Sequence, residues 1–241
     1  MPKSKSRCLA FVISRAASPD RLLRLRDTLT KGRATAGSPC DWLLWANSPQ
    51  AFVLAEDIGI DIRGNGTNVG QHVAFSEVLE EARCANYEYL LRVDDDADFI
   101  TRNWLRRLIE VSEEIYHSKH HHAIIAPRVL GLKNPIEVQG TLATKRGVLQ
   151  FVRITGGVCR LMPLASLGEY IPDVRQAMGA GEATSLATYC TRKVVPMFIV
   201  PWVRVRHQTE VQEAADAGYF DHHKIFQAIP YVPPLKVEEP A

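Results

Sequence analysis

The stretch Tyr89-Leu90-Leu91-Arg92-Val93-Asp94-Asp95-Asp96 decides how this chain is read. A run suited to a buried strand ends abruptly in three consecutive acids, with a fourth at Asp98. Carboxylates are poor strand formers and repel one another when crowded, so a triplet at the tip of a core strand needs a counter-charge. A divalent cation such as Mg²⁺ or Mn²⁺ suits hard oxygen ligands of this kind. Asp94 and Asp96 would share one side if the extended geometry persisted, and Asp96 is the candidate metal ligand. The plain alternative is a solvated acidic turn ahead of a helix, where acids also complement the helix dipole.

Working outward, the residues before the triplet alternate between short apolar runs and amphipathic segments. Strands are expected at Cys8–Ser14, Trp42–Trp45, Ile60–Ile62 and Tyr87–Val93, and a later one at Ala123–Val129. Helices are expected at Asp20–Lys31, with Ser18 as N-cap and Pro19 just inside it, at Pro49–Asp57, and at Gln71–Cys84, where Phe75, Val78, Leu79 and Ala82 fall on one face. Thr101 is expected to cap a helix that buries Leu105, Leu108, Ile109 and Ser112. Strand–helix alternation implies a largely parallel sheet covered on both faces. Ligands of such sheets bind beyond the carboxyl ends of the strands, which is where the acids stand.

Beyond the triplet the pattern changes. Segments Ile136–Gly140 and Val148–Arg153 read as β, Gly156-Gly157 leads into a strand through Met162, Glu182–Arg192 reads as a short helix and Val195–His207 is β-rich. By alternation Val203, Val205 and His207 share one strand face and Arg204 and Arg206 the other, so His207 continues a buried face and is a second candidate metal ligand. His120-His121-His122 reads as a solvated loop, because adjacent histidines cannot all face one ion on a regular element. The arginines at 102, 106 and 107 read as a solvated helix face. From Gln208 the chain is a polar, proline-bearing tail.

Composition bounds the class. The 241 residues are 46% hydrophobic and 23% charged, with a net charge of +2. This fits a globular protein with a sizeable core and does not demand a nucleic-acid partner. The five cysteines, at 8, 40, 84, 159 and 190, show neither a disulfide framework nor zinc-type spacing and fit a reducing compartment. The basic start carries no signal-type apolar core, and no stretch approaches the roughly 18 apolar residues of a membrane span. A cytoplasmic protein without an integral membrane segment is expected.

Taken in order, these segments resemble family 2 and related glycosyltransferases of the A-type fold, over about residues 8–207. Phe11-Val12-Ile13-Ser14 is similar to that family's opening strand, and Leu43-Leu44-Trp45-Ala46-Asn47-Ser48 to its second. Asn68-Val69-Gly70 is similar to its Asn-x-Gly turn, Val93–Asp96 to its DxD motif, Thr155-Gly156-Gly157-Val158-Cys159 to its acceptor-side glycine segment, Gly181-Glu182-Ala183-Thr184 to its Glu-Asp motif, and Val200-Pro201 with Val203–His207 to its closing strand, which often ends in His.

The resemblance implies one Rossmann-like α/β nucleotide-sugar-binding domain with a mixed central sheet over 1–207. Its donor half would span about 1–130 and its acceptor half about 131–207, followed by a tail, 208–241, that carries Tyr219, Phe220 and Tyr231 and is read as a lid. It implies a sugar moved from a nucleotide-diphosphate donor, UDP-sugar favoured, to a hydroxyl acceptor, which could include nucleic acid, with Mn²⁺ or Mg²⁺ as cofactor. Ser14, Arg15, Asn47, Asn68, Gly70, Arg92, Asp94 and Asp95 are the implied donor contacts, Gly156 and Gly157 the acceptor contacts, Asp96 and His207 the metal ligands. Three positions depart from the pattern: Ala46 replaces an Asp of the second strand, Ala183 the usual catalytic Asp, and Ser185 the next acid. Glu182 remains as the candidate base. Two other readings stay open: a nucleotide-sugar-binding module without catalysis, and a nucleotidyltransferase. The latter usually carries a glycine-rich basic loop after the first strand, and residues 14–19 contain no glycine.

Overall fold

A computed structural model describes residues 6–132, 136–172 and 182–208. Gly181 and the lid expected of residues 209–241 lie outside the described residues. The elements, in chain order, are β1 (Cys8–Ser14), α1 (Pro19–Thr35), β2 (Asp41–Ala46), α2 (Pro49–Ile58), β3 (Asp61–Arg63), α3 (Gln71–Cys84), β4 (Tyr89–Asp94), β5 (Ala97–Phe99), α4 (Trp104–Lys119), β6 (Ile124–Leu130), β7 (Val138–Thr144), β8 (Gly147–Val152), β9 (Cys159–Pro163), α5 (Leu164–Leu167), α6 (Glu182–Lys193) and β10 (Met197–His207).

They build a single mixed sheet in the order β3-β2-β1-β4-β9-β6-β10-β8-β7, with β5 added along β10. β3, β2, β1 and β4 run parallel, as the alternation predicts. Beyond β4 the sheet is mixed: β9 enters antiparallel between β4 and β6, and β8 pairs antiparallel with β10 and β7. Alternate residues of each strand feed two apolar layers. On one face Ala10, Val12, Leu91 and Val93 pack with Leu25 and Leu29 of α1, Ala51 and Ala55 of α2, and Leu105 and Leu108 of α4. On the other, Phe11, Ile13 and Leu90 pack with Phe75, Val78 and Leu79 of α3 and with Leu186 and Cys190 of α6. Full burial of such side chains stabilises by about 1.5–3 kcal/mol each, so strands and helices are held mainly by these two layers.

Local signals explain most element starts. Ser18 caps α1, its hydroxyl accepting from the Arg21 amide at 3.4 Å with Pro19 in the first turn. Ser48 does the same for α2 from Ala51. The expected cap of α4 is different. Asn103, in the left-handed region, takes the N-cap position without a side-chain bond, and the Thr101 hydroxyl instead accepts from the Arg204 amide at 2.9 Å. Thr101 is therefore spent tying this loop to β10. The short strand β5 is an addition to the sequence reading. It pairs antiparallel with Val205–His207. Its Phe99 stacks on Trp104 at 4.2 Å, and Gly32 of α1 leaves room for it: a β-carbon there would come within 2.9 Å of the Phe99 ring and 2.8 Å of Trp42.

All five cysteines are free thiols. His120 forms the left-handed C-cap of α4, while His122 stacks on Tyr116. Among the described residues no helix is long and apolar enough to cross a membrane.

Candidate functional site

The strand order reverses around β1, which has β2 on one side and β4 on the other. Such a switch point leaves a crevice at the carboxyl ends of the strands. Ser14, Asn47 and Asp94 stand at those ends.

Asp94 is the last residue of β4, and the chain then turns through Asp95 and Asp96 before entering β5. The turn, rather than a continuing strand, sorts the three carboxylates. Asp95 is directed to β1, where the Ser14 hydroxyl donates to it at 2.6 Å. Asp94 is held by the Arg92 guanidinium at 2.8 Å. Asp96 lies 3.3 Å from His207 Nε2, and its backbone carbonyl accepts from the Gln208 amide, so the turn is pinned to the end of β10. Asp94, Asp96 and His207 each offer a ligand atom, and these atoms lie within 4.8 Å of one another.

This group has the character of a cation site. Asp96 is 5% exposed, yet its Oδ1 has no hydrogen-bond partner among the described residues. A buried carboxylate oxygen left in that state is costly. Burial first, and then the charges of Asp94 and Asp95, push Asp96 up to about 8. Asp95 is also raised, by burial, with the Ser14 bond opposing. Two carboxylates and an imidazole form a mixed oxygen–nitrogen donor set that fits a divalent ion such as Mn²⁺. A Mn²⁺ or Mg²⁺ there would be held by Asp94, Asp96 and His207.

The other expected site residues fall into two groups. Arg15, which follows the end of β1, and Asn68 are exposed, and the loop of Gly156 and Gly157 passes Asp94 so closely that a β-carbon on Gly157 would sit 3.4 Å from Asp94 Oδ2. The rest are buried and committed to partners within the chain. Ser14 is 1% exposed, donating to Asp95 and accepting from the Ala16 amide. Asn47 Oδ1 accepts from Trp45 Nε1 and from the Val69 amide, which fastens the 65–70 loop to β2. Gly70, buried, is the N-cap of α3, and its amide donates to Asn68 Oδ1. Arg92 is 1% exposed and lies over the Phe11 ring, so it meets a ligand only through Asp94. Glu182, the first residue of α6, is 3% exposed and ion-paired with Arg160.

Several participants escaped the sequence reading. Arg160 is buried; burial, reinforced by Arg92, lowers it to about 10. From α1, Arg21 and Arg24 lend positive charge to Asp95 and Asp96, respectively, and the Thr28 hydroxyl donates to the carbonyls of Asp95 and Ala97. Residues 21, 24 and 28 are spaced by three and four, one helix face, and that periodicity was the available signal. Nothing local marks Arg160.

No protein-family model matches the chain, and no curated protein matches it in sequence. Solved structures match it in fold. GalNAc-T7 with UDP, GalNAc and Mn²⁺ aligns with a TM-score of 0.60 at 15% identity, over 89% of this chain and 44% of that one. The mannosyltransferase PcManGT from Pyrobaculum calidifontis, in complex with GDP-Man and Mn²⁺, aligns at 0.62 and 14% identity over 97% and 68%. Residues 1–349 of S. aureus TarS align at 0.56 and 12% identity over 83% and 60%. The chain thus spans less than half of the first and about two thirds of the second. Likeness at these identities speaks to architecture: the chain has the A-type glycosyltransferase fold, with Asp94 and Asp96 as a DxD-like group at the tip of β4.

Proposed function

We propose that this chain is a divalent-metal-dependent glycosyltransferase that moves a sugar from a nucleotide-diphosphate donor, UDP-sugar favoured, to a hydroxyl-bearing acceptor. The observation that carries the reading is the convergence of Asp94, Asp96 and His207 around the buried Oδ1 of Asp96, which has no hydrogen-bond partner among the described residues. Bound there, Mn²⁺ or Mg²⁺ would supply neutralisation of the charge that builds on the departing diphosphate, an effect often worth several kcal/mol.

The chain's own residues prepare that centre. Arg92 and Ser14 hold Asp94 and Asp95 in place, so the carboxylates need little reorganisation. On this reading the exposed Arg15 and Asn68 would contact the donor in the half up to about residue 130, and the Gly156–Gly157 loop, which passes Asp94, would meet the acceptor in the half from about 131 to 207. The absence of a β-carbon at 157 lets a sugar approach the backbone closely. Proton removal from the acceptor falls to Glu182 only if that carboxylate leaves Arg160.

A second reading, a module that binds nucleotide sugar without transferring it, is favoured by Ala183 and Ser185 at positions where the resemblance expects acids, and by the ion pair that occupies Glu182. One experiment separates the two: a panel of nucleotide-diphosphate sugars with Mn²⁺, scored for binding by calorimetry and for slow donor hydrolysis. Binding with hydrolysis supports transfer and binding alone supports the module. Neither, with any donor, removes both.

A further inference from the structure

Two guanidinium groups lie side by side beneath the site. Arg92 on β4 and Arg160 on β9 are register partners in the antiparallel pair, and each is 1% exposed. Directly opposed residues of such a pair have β-carbons about 4.5–5.5 Å apart, so two buried cations would repel strongly here. Each is balanced by one carboxylate: Arg92 holds Asp94, and Arg160 holds Glu182.

Arg160 makes a further bond. Its Nη1 donates to the Gly156 carbonyl at 2.9 Å, while Nη2 donates to Glu182. The loop it grips runs directly past the metal-facing carboxylate. Gly157 abuts Asp94 Oδ2, and the Val158 carbonyl accepts from the Asp94 amide at 2.9 Å. One side chain therefore joins the first turn of α6, the Gly156–Gly157 loop and, through that loop, Asp94.

We propose that Arg160 is a positioning residue that sets the spacing between the acceptor-side loop and Asp94, and that Glu182 is its fixed counter-ion rather than the base for the acceptor hydroxyl. This assignment rests on the glycosyl-transfer reading of the site. A general base needs to reach the proton it takes. To do so Glu182 would have to uncover a buried guanidinium that already lies beside another, which is the costly way to break a buried ion pair. Arg160 suits the positioning role because its planar fork can hold a carboxylate and a carbonyl at once, in a way that the single ammonium of a lysine reproduces only in part.

The test uses the full chain without metal and follows amide hydrogen exchange in Arg160→Met, Arg160→Lys and Glu182→Gln. The reporter is the Asp94 amide, and Val12, in the interior of β1, is the internal reference. The expected result is exchange accelerated at least tenfold more at Asp94 than at Val12, which follows the global stability, in Arg160→Met and Glu182→Gln, with partial recovery in Arg160→Lys. For any donor that the wild type hydrolyses, Arg160→Met lowers kcat at least tenfold and leaves donor KM within twofold. Glu182→Gln with impaired turnover but wild-type exchange at Asp94 would restore the base role and overturn the assignment. Equal acceleration at Asp94 and Val12 in every variant would overturn it too, as general loosening. A wild type that turns over no donor sinks the transfer reading alone, and the exchange rates still decide whether Arg160 fixes the loop.

Discussion

The tip of β4 and the first turn of α6 each bury a carboxylate, and the protein treats the two oppositely. Asp96 is 5% exposed and faces an imidazole and two other acids, with one oxygen unpartnered among the described residues. Glu182 is 3% exposed and is met by the Arg160 guanidinium. An ion pair completed inside the chain belongs to the folded structure, and removing one partner strands the other. A buried carboxylate left short of positive charge is a standing cost that a cation from outside relieves. The acidity of a segment therefore says less about chemistry than whether its counter-charge is already built in.

That contrast is broken most sharply by removing the Asp96 carboxylate. Asp96→Ala is expected to lower Mn²⁺ affinity by more than about 100-fold, since loss of an outer-shell partner alone typically costs 10–100-fold. The far-ultraviolet circular dichroism should stay that of wild type. Calorimetric titration with Mn²⁺ checks this, and an unchanged affinity would remove Asp96 from the site.

Stability should show the reverse asymmetry. Glu182→Gln leaves Arg160 buried with no full counter-charge and is expected to cost about 3–5 kcal/mol in urea unfolding. Asp96→Asn relieves repulsion with Asp94 and Asp95 and is expected to stabilise the metal-free chain at pH 8.5. Equal destabilisation by the two substitutions would erase the distinction drawn between the two regions.

A pH series sharpens the point. Asp96, held up to about 8 in the folded chain, would titrate near 4 when unfolded. Between those values the native state keeps a proton that the unfolded chain has released, so this group makes the metal-free protein less stable as pH rises through that window. A cation must displace the same proton, so Mn²⁺ affinity rises over the same range, by up to about tenfold per pH unit. The thermal shift produced by Mn²⁺ should accordingly be larger at pH 8.5 than at pH 6. The smallest expected effect is that of Gly157→Ala. Its new methyl meets Asp94 Oδ2 at an ordinary contact of 3.4 Å, so Mn²⁺ affinity should fall by no more than about tenfold.

Much of this architecture was legible in the sequence. The strands and helices up to Val129 follow from apolar alternation, helical periodicity and punctuation such as Ser18-Pro19, because local preference and tertiary demand agree there. The acidic triplet drew attention to the turn where Asp94, Asp96 and His207 converge, and parity along Val203, Val205 and His207 placed the imidazole on the face that meets Asp96. What escaped was set by distant partners. Ala97-Asp98-Phe99 forms a strand only because β10 lies alongside it. Thr101 reads as a cap but bonds to Arg204, 103 residues later. Glu182 reads as a free acid at a helix start, and its partner sits 22 residues earlier on another strand. Ser14, Asn47 and Arg92 are donor contacts by resemblance, yet their side chains are committed to Asp95, to Trp45 and Val69, and to Asp94. Sequence order places such residues near a ligand without telling which of them face it.

The most direct measurement is a crystal of this chain soaked with Mn²⁺ and UDP, with data collected near the manganese edge. An anomalous peak between Asp94, Asp96 and His207, within coordination distance of both carboxylates and the imidazole, is the result predicted here. A peak elsewhere, or none at saturating Mn²⁺, would contradict the claim that these three side chains form a cation site.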